Sequence, residues 1–212
     1  MLTLLTGRAR TGKSRTVLNR VAAHPGNRPQ ILLVPEHASH QAEVDLCRAC
    51  GDAASRFAEV LSFRRLSDRV LDLTGGASQV SLDAGGKLLT LEKALIEVSP
   101  ELTVYRRPSR KSAFLRQLLA LFDELRCYEV TPRTLYDQSQ AITGATHDKL
   151  RDLSLLYAAY ESRLLRPGLD ARDYMTRLCD NLEASGYARG KDIHIDGFTY
   201  FTAQERRCLS IL

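Results

Sequence analysis

Eight residues near the start of the chain constrain its fold more than any others. Gly7-Arg8-Ala9-Arg10-Thr11-Gly12-Lys13-Ser14 fits the pattern GxxxxGK[ST] without a mismatch. Each fixed type has a physical reason. The two glycines let the backbone curl so that successive N–H groups point inward at phosphate oxygens. Lys13 supplies a point charge for the β- and γ-phosphates, and the Ser14 hydroxyl can ligate Mg²⁺. The motif demands a strand before it and a helix after it, and the sequence offers both. Leu2-Thr3-Leu4-Leu5-Thr6 is an apolar, partly β-branched run, and Ser14 to Ala23 carries Val17, Leu18 and Val21 at helical spacing. All eight residues, Gly7 to Ser14, are therefore expected to bind nucleotide, with ATP and Mg²⁺ as the cofactors. Arg10 stands where such loops often use glycine; if φ is positive there, an arginine costs roughly 1–2 kcal/mol.

The same alternation continues beyond the loop. Ile31 to Val34 reads as a buried strand ended by Pro35, and Ser39 to Cys50 as a helix. Glu59-Val60-Leu61 is a third strand candidate, and Ser62 an N-cap for a helix from Phe63 to Leu73. Strand alternating with helix at this interval implies a parallel sheet with crossover helices. From about Ser81 the pattern becomes helical throughout. Leu82 to Val98, Ser112 to Tyr128 and Lys149 to Leu165 show apolar residues three and four apart, and prolines such as Pro132 separate them. Asp170 is expected to cap a further helix running to about Ser185. A strand returns at Asp192 to Asp196, and Thr202 with Glu205 has capping-box spacing for a last helix. The expected class is α/β: a parallel-sheet core carrying the phosphate loop, interrupted by a large all-helical insertion. Its boundaries fall at 1–75 and 190–212 for the lobe and 76–189 for the insertion. The chain stops inside its last helical pattern, which reads as a fragment of a longer protein.

Composition narrows the class. Hydrophobic residues make up 44% and charged residues 26%, a globular balance, and no apolar run is long enough to span a bilayer. With no secretory signal, the expected location is cytoplasmic and no membrane partner is implied. The net charge is +5, with arginine far outnumbering lysine. That excess suits a polyanionic partner, but a genome-wide bias gives the same ratio, so charge alone decides nothing. The five cysteines include Cys47-Arg48-Ala49-Cys50, yet no second pair or histidine stands at zinc spacing, and a redox pair should open a helix rather than close one. They read as structural thiols.

A magnesium site needs an acidic group at the end of a second strand. Asp196 ends the run Ile193-His194-Ile195 and is the expected partner of Ser14 for Mg²⁺. Motor ATPases follow this aspartate with a glutamate that polarises the attacking water; here Gly197 follows, so binding is expected to outlast hydrolysis. No catalytic residue is assigned.

Further segments then coincide in order: Ile31-Leu32-Leu33-Val34-Pro35-Glu36-His37, Gln41-Ala42-Glu43, Val60-Leu61-Ser62-Phe63-Arg64-Arg65-Leu66, and Ile195-Asp196-Gly197-Phe198-Thr199-Tyr200-Phe201-Thr202-Ala203-Gln204-Glu205. Together with the loop, they resemble the N-terminal part of AddB (RexB in some lineages), a subunit of bacterial ATP-dependent helicase/exonuclease complexes. The resemblance spans essentially the whole chain. It implies an AddA-type partner subunit, double-strand DNA ends and single-stranded DNA as substrates, and recombinational repair as the setting. It implies a P-loop, RecA-like parallel sheet of the superfamily 1 helicase type, a lobe whose motor function has decayed and which is inactive as a motor in this fragment. The family's nuclease domain and iron–sulfur cluster lie in a C-terminal part that this chain does not reach. By position in the resemblance, His37, Ser62 and Phe63 match single-strand DNA contacts, with Phe63 stacking a base or serving as a core aromatic. Arg107 and Arg110 lie in the densest cationic stretch, Arg106 to Lys111, a candidate for the DNA backbone or a solvated loop.

Two rivals stay open. Small nucleotide or nucleoside kinases also begin with this loop, and Asp196-Gly197-Phe198 is similar to the Asp-Gly-Phe-Pro-Arg stretch of adenylate kinases. Here Thr199-Tyr200 replaces Pro-Arg, removing the phosphate-clamping arginine. A non-catalytic scaffold that only docks an AddA-type partner predicts no nucleotide affinity at all.

Overall fold

The computed structural model describes residues 2–23, 28–51, 53–75, 82–106, 112–165 and 173–212. Three strands, β1 (Gln30–Leu33), β2 (Ala58–Leu61) and β3 (Asp192–Ile195), form one parallel sheet in the order β2-β1-β3. Among the described residues the helices are α1 (Lys13–Ala23), α2 (Ser39–Cys50), α3 (Phe63–Thr74), α4 (Ala84–Val98), α5 (Ser112–Cys127), α6 (Pro132–Gln140), α7 (Ala145–Leu164), α8 (Tyr174–Ser185) and α9 (Ala203–Ile211). The chain is thus α/β.

The centre of the sheet explains its own sequence. All four residues of β1 are buried, because helices cover both faces of a parallel sheet and leave no polar side. Leu32 and Val34 pack with Val17 and Val21 of α1 and Leu46 of α2 on one face. Ile31 and Leu33 pack with Leu66 and Val70 of α3, Leu178 and Leu182 of α8 and Cys208 of α9 on the other. Leu33 stands opposite Leu61 in β2 and Ile195 in β3, so the carboxyl ends of all three strands lie along one edge. Ser62 caps α3 as its sequence demands, accepting a hydrogen bond from the Arg65 N–H at 3.3 Å.

The expected opening strand is a correction. Leu2 to Thr6 joins no ladder, and Leu2 and Leu4 are 84% and 76% exposed. Only Leu5 of this run packs against the cluster beneath α1 and α2. A run of leucine and threonine becomes a strand only where a neighbouring edge offers N–H and C=O groups in register. β1 already pairs on both sides, and neither outer edge of the sheet takes this run. The sheet therefore lacks the strand that would carry the loop in a RecA-like lobe.

Two compact units divide the chain. The first comprises Met1–Ala77, Tyr174–Phe201 and Glu205–Leu212; the second comprises Ser78–Asp173 and Thr202–Gln204. Helix α8 belongs with the sheet, so the chain rejoins the first unit at Tyr174, before the boundary at 190 that periodicity alone suggests. Its packing on α3 is the reason: Ser67 donates to the Tyr174 carbonyl at 3.2 Å, and Leu178 is fully buried. The second unit is all-helical within the described residues. Its core is Leu91, Leu95, Leu115, Leu118, Leu156 and Leu164 around Phe122, whose ring stacks on Tyr157 and Tyr160. Pro132, expected as a separator, instead opens α6 at its first turn. Thr131 is the cap, accepting from Thr134 N–H at 3.1 Å, and the absent proline N–H costs nothing there. The Asp170 cap and the stretch containing Arg107 and Arg110 lie outside the described residues.

Candidate functional site

The loop from Gly7 to Ser14 folds back on its own lysine. Lys13 Nζ donates to the carbonyls of Gly7 at 2.9 Å and Arg8 at 2.6 Å, so the side chain spans the curl and holds its ammonium among the opening carbonyls. Thr11 Oγ1 donates to the Arg8 carbonyl at 2.8 Å, a second tie across the same turn. A Cβ at Gly7 would stand 2.8 Å from Thr11 Oγ1, which explains the glycine. Within the described residues, the backbone N–H groups of Arg8, Ala9, Arg10 and Gly12 donate to no backbone acceptor. They remain available to an anion. Helix α1 follows at once, its Thr16 N–H bonded to the Gly12 carbonyl at 2.9 Å.

Two residues of the loop have positive φ. Gly12, at 85°, has the freedom for it; Arg10, at 62°, does not. The left-handed conformation carries a steric penalty of roughly 1–2 kcal/mol for an L-residue with a side chain, partly offset when glycine replaces it because the unfolded chain gains freedom. Arg10→Gly is therefore expected to raise the unfolding free energy by up to about 1 kcal/mol, read as a higher urea midpoint at unchanged slope. A lower midpoint would mean that the Arg10 side chain makes a stabilising contact worth more than its strain.

A second group of residues gathers at the carboxyl edge of the sheet. Pro35 ends β1 and leads into a single 3-10 turn, Glu36–Ala38, which exposes His37. Ser62 and Phe63 follow β2, and Asp196, half-buried with its N–H bonded to the Leu33 carbonyl at 3.1 Å, follows β3. Contacts between the three turns are direct. Gly197, at φ 82°, lies against Pro35, and Phe198 meets the Phe63 ring edge-on at 5.6 Å. Phe63 itself is 5% exposed and belongs to the core between the sheet, α3 and α8. Its ring presents no open face to a base. Ser62 is also buried and spends its hydroxyl on the helix cap.

Sequence reasoning did not foresee how the motif segments around Gln41-Ala42-Glu43 and Arg64-Arg65 are joined. Glu43 of α2 pairs with Arg65 of α3, tying together helices that approach from opposite faces of the sheet past the β2 edge. Arg69 Nε donates to Glu59 Oε1 at 2.9 Å, and Tyr187 donates to Glu59 Oε2 at 3.2 Å. Burial, with Glu59 beside it, pushes the Tyr187 phenol up to about 12, and Lys191 lies 3.2 Å from the centre of that ring. Glu43, Glu59, Arg65, Arg69 and Lys191 line a cleft of about 640 Å³ with Gln30, Cys47 and Arg56. Opposite charges 22 residues apart in the chain were the available signal, but nothing local says that they meet.

Cys47 and Cys50 close α2, as expected. Burial, and then the neighbouring Cys47, raise the Cys50 thiol, which disfavours the thiolate that metal binding or exchange needs. None of the five cysteines forms a disulfide, and the described residues contain no cluster of three or more His, Cys, Asp or Glu able to hold a metal. For magnesium the donor types are suitable, since an exposed Ser14 hydroxyl and a half-buried Asp196 carboxylate are both hard oxygens. Phosphate oxygens and water would have to complete such a shell. No helix among the described residues is long and apolar enough to cross a membrane.

A parallel sheet clad in helices on both faces, preceded by a GxxxxGK[ST] loop, defines the broad class of α/β proteins with a phosphate-loop signature. Comparison with known proteins makes this particular: residues 4–212 match the family model described as ADDB, N-terminal, and the chain belongs to that family. Similar relatives include a protein of Desulforamulus reducens, 38% identical over 96% of this chain, and one of Moorella thermoacetica, 35% identical over 100%. A third, from a Thermoanaerobacter species, is 33% identical over 97%. All three are named as a subunit of an ATP-dependent helicase/deoxyribonuclease. The chain spans 18%, 19% and 18% of their respective lengths.

Proposed function

We propose that this chain is the N-terminal, helicase-like region of an AddB-type helicase/deoxyribonuclease component acting in double-strand DNA break processing and recombinational repair. It binds a nucleoside triphosphate with Mg²⁺ at Gly7 to Ser14 and single-stranded DNA along the carboxyl edge of the sheet, and an AddA-type subunit is its partner. The observation that carries the reading is the Gly7–Ser14 curl, with unengaged N–H groups and the Lys13 ammonium held within it. Phosphate oxygens accepting from those N–H groups would place their charge beside that ammonium, and the N-terminus of α1 adds its dipole.

The same residues argue against a motor. Gly197 follows Asp196 where a hydrolytic enzyme needs a carboxylate to polarise water, and its conformation at φ 82° suits glycine. The loop also lacks the support of a preceding paired strand, so nucleotide affinity is expected to be modest. Among the described residues expected from sequence, His37, exposed on the turn after β1, is the DNA contact best placed.

Equilibrium titration with a fluorescent ATP analogue in the presence of Mg²⁺ tests this. Saturable binding by the wild-type chain, weakened about tenfold or more in Lys13→Ala, is the expected result; a tenfold loss corresponds to roughly 1.4 kcal/mol, within the range of one charge-assisted contact. No binding by either protein, with an AddA-type subunit still captured, would leave the scaffold reading in its place.

A further inference from the structure

The loop between β3 and α9 is held at both ends. Gly197 turns it, and a Cβ at that position would stand 3.2 Å from Pro35 Cδ, so the loop is pressed against the turn after β1. Phe198 goes inward, edge-on to Phe63 and 4.8 Å from the ring of Phe201. The Phe201 carbonyl accepts from Arg206 Nη1 at 3.0 Å, which ties the far end of the loop to α9. Between these two anchored phenylalanines Tyr200 stands out in solvent, 72% exposed.

An aromatic ring on a fixed loop has already lost the backbone freedom that binding would otherwise cost. What it can bind follows from its surroundings. Glu36 and Asp196 share this edge with Arg64 and with Arg206 at the far end of the loop, so opposite charges largely offset and the edge exerts little net pull on phosphate. A ring face is the feature left over. Phe198 and Phe201 pack against the core beneath the loop, and the residue before the ring is the polar Thr199, unlike the aromatic-rich centre of a protein–protein interface. A flat, detachable partner with its own π-face suits this arrangement better than a folded protein surface.

We propose that Tyr200 is a base-stacking contact for an unpaired nucleotide at the carboxyl edge of the sheet, a role the buried Phe63 ring has no open face to fill. The proposal rests on the single-strand reading of that edge given above. Stacking on an exposed ring is tolerant of sequence and contributes roughly five- to hundredfold in affinity per base.

Fluorescence anisotropy with this chain, a labelled oligothymidylate and an abasic oligomer of equal length tests it. Tyr200→Ala is expected to bind oligothymidylate about tenfold more weakly, while Tyr200→Phe keeps wild-type affinity. The abasic oligomer should bind wild type and Tyr200→Ala equally, and the dependence of affinity on salt should be unchanged, because phosphate contacts are untouched. Wild-type and Tyr200→Ala affinities that agree on oligothymidylate would overturn the stacking role while leaving single-strand binding intact. Failure of the wild type to bind oligothymidylate at all would sink the single-strand reading and this role with it. If Tyr200→Ala instead weakens capture of an AddA-type subunit and leaves DNA affinity alone, the ring belongs to a protein interface and the proposal is wrong. Matching circular dichroism of the three proteins excludes misfolding as the source of any loss.

Discussion

Asp152→Ala is expected to destabilise the helical unit by about 3 kcal/mol or more, a large effect for one carboxylate. The side chain is fully buried on α7 and accepts from three successive backbone N–H groups: Thr103 at 3.0 Å, Val104 at 2.7 Å and Tyr105 at 3.0 Å. Three N–H dipoles thus replace the water that a carboxylate needs. Truncation removes charge-assisted bonds worth more than ordinary ones and leaves those donors without their acceptor. It also releases the segment after α4, whose Leu102 and Tyr105 pack into the unit through the core and the Phe114 ring. Asp152→Asn keeps the shape and one acceptor oxygen, so its loss should be clearly smaller. Hydrogen exchange resolved by peptide is the appropriate measurement. Protection should fall across α4, α5 and α7 in the alanine variant, and wild-type protection there would refute the anchoring role.

Phe122→Ala should cost about 3–5 kcal/mol in the same unit, the usual range for deleting a fully buried ring. Phe122 is completely buried on α5, with ring centroids 4.6 Å from Tyr157 and 5.8 Å from Tyr160, both on α7. Removing the ring opens a cavity and breaks both stacks, and the Tyr160 hydroxyl, buried beneath Arg126, leaves little room for collapse. Phe122→Leu retains most of the volume and is expected to lose roughly half as much. Urea unfolding followed by far-ultraviolet dichroism gives the difference. A cost below about 1 kcal/mol for the alanine variant would show that the helices repack around the gap.

How far sequence reached differs residue by residue. Ser62 announces α3 because a cap acts on N–H groups only two or three residues away. The Leu115, Leu118 and Phe122 spacing announces a buried helical face for the same local reason. The loop motif is equally local, whereas the positive φ at Arg10 was left open by its sequence and set by the fold. Pro132 shows the limit: the Thr131-Pro132 pair was readable as a helix start, but reading proline as a breaker concealed α6. The Glu43–Arg65 bridge and the three-donor seat of Asp152 join residues far apart in sequence, so no window along the chain contains both halves.

The sequence by itself determined the helices other than α6, β1 with its unbroken apolar run, the phosphate-loop pattern and the family, since each depends on residues in fixed local or ordered spacing. Only the tertiary structure decided that Leu2 to Thr6 would stay out of the sheet, that Phe63 would be buried while Tyr200 was left in solvent, and that α8 would join the sheet unit. Each of those outcomes depends on which edges and faces distant segments have already occupied. Strand pairing and burial are competitions for a limited surface, and a residue's own chemistry does not reveal who else has claimed it.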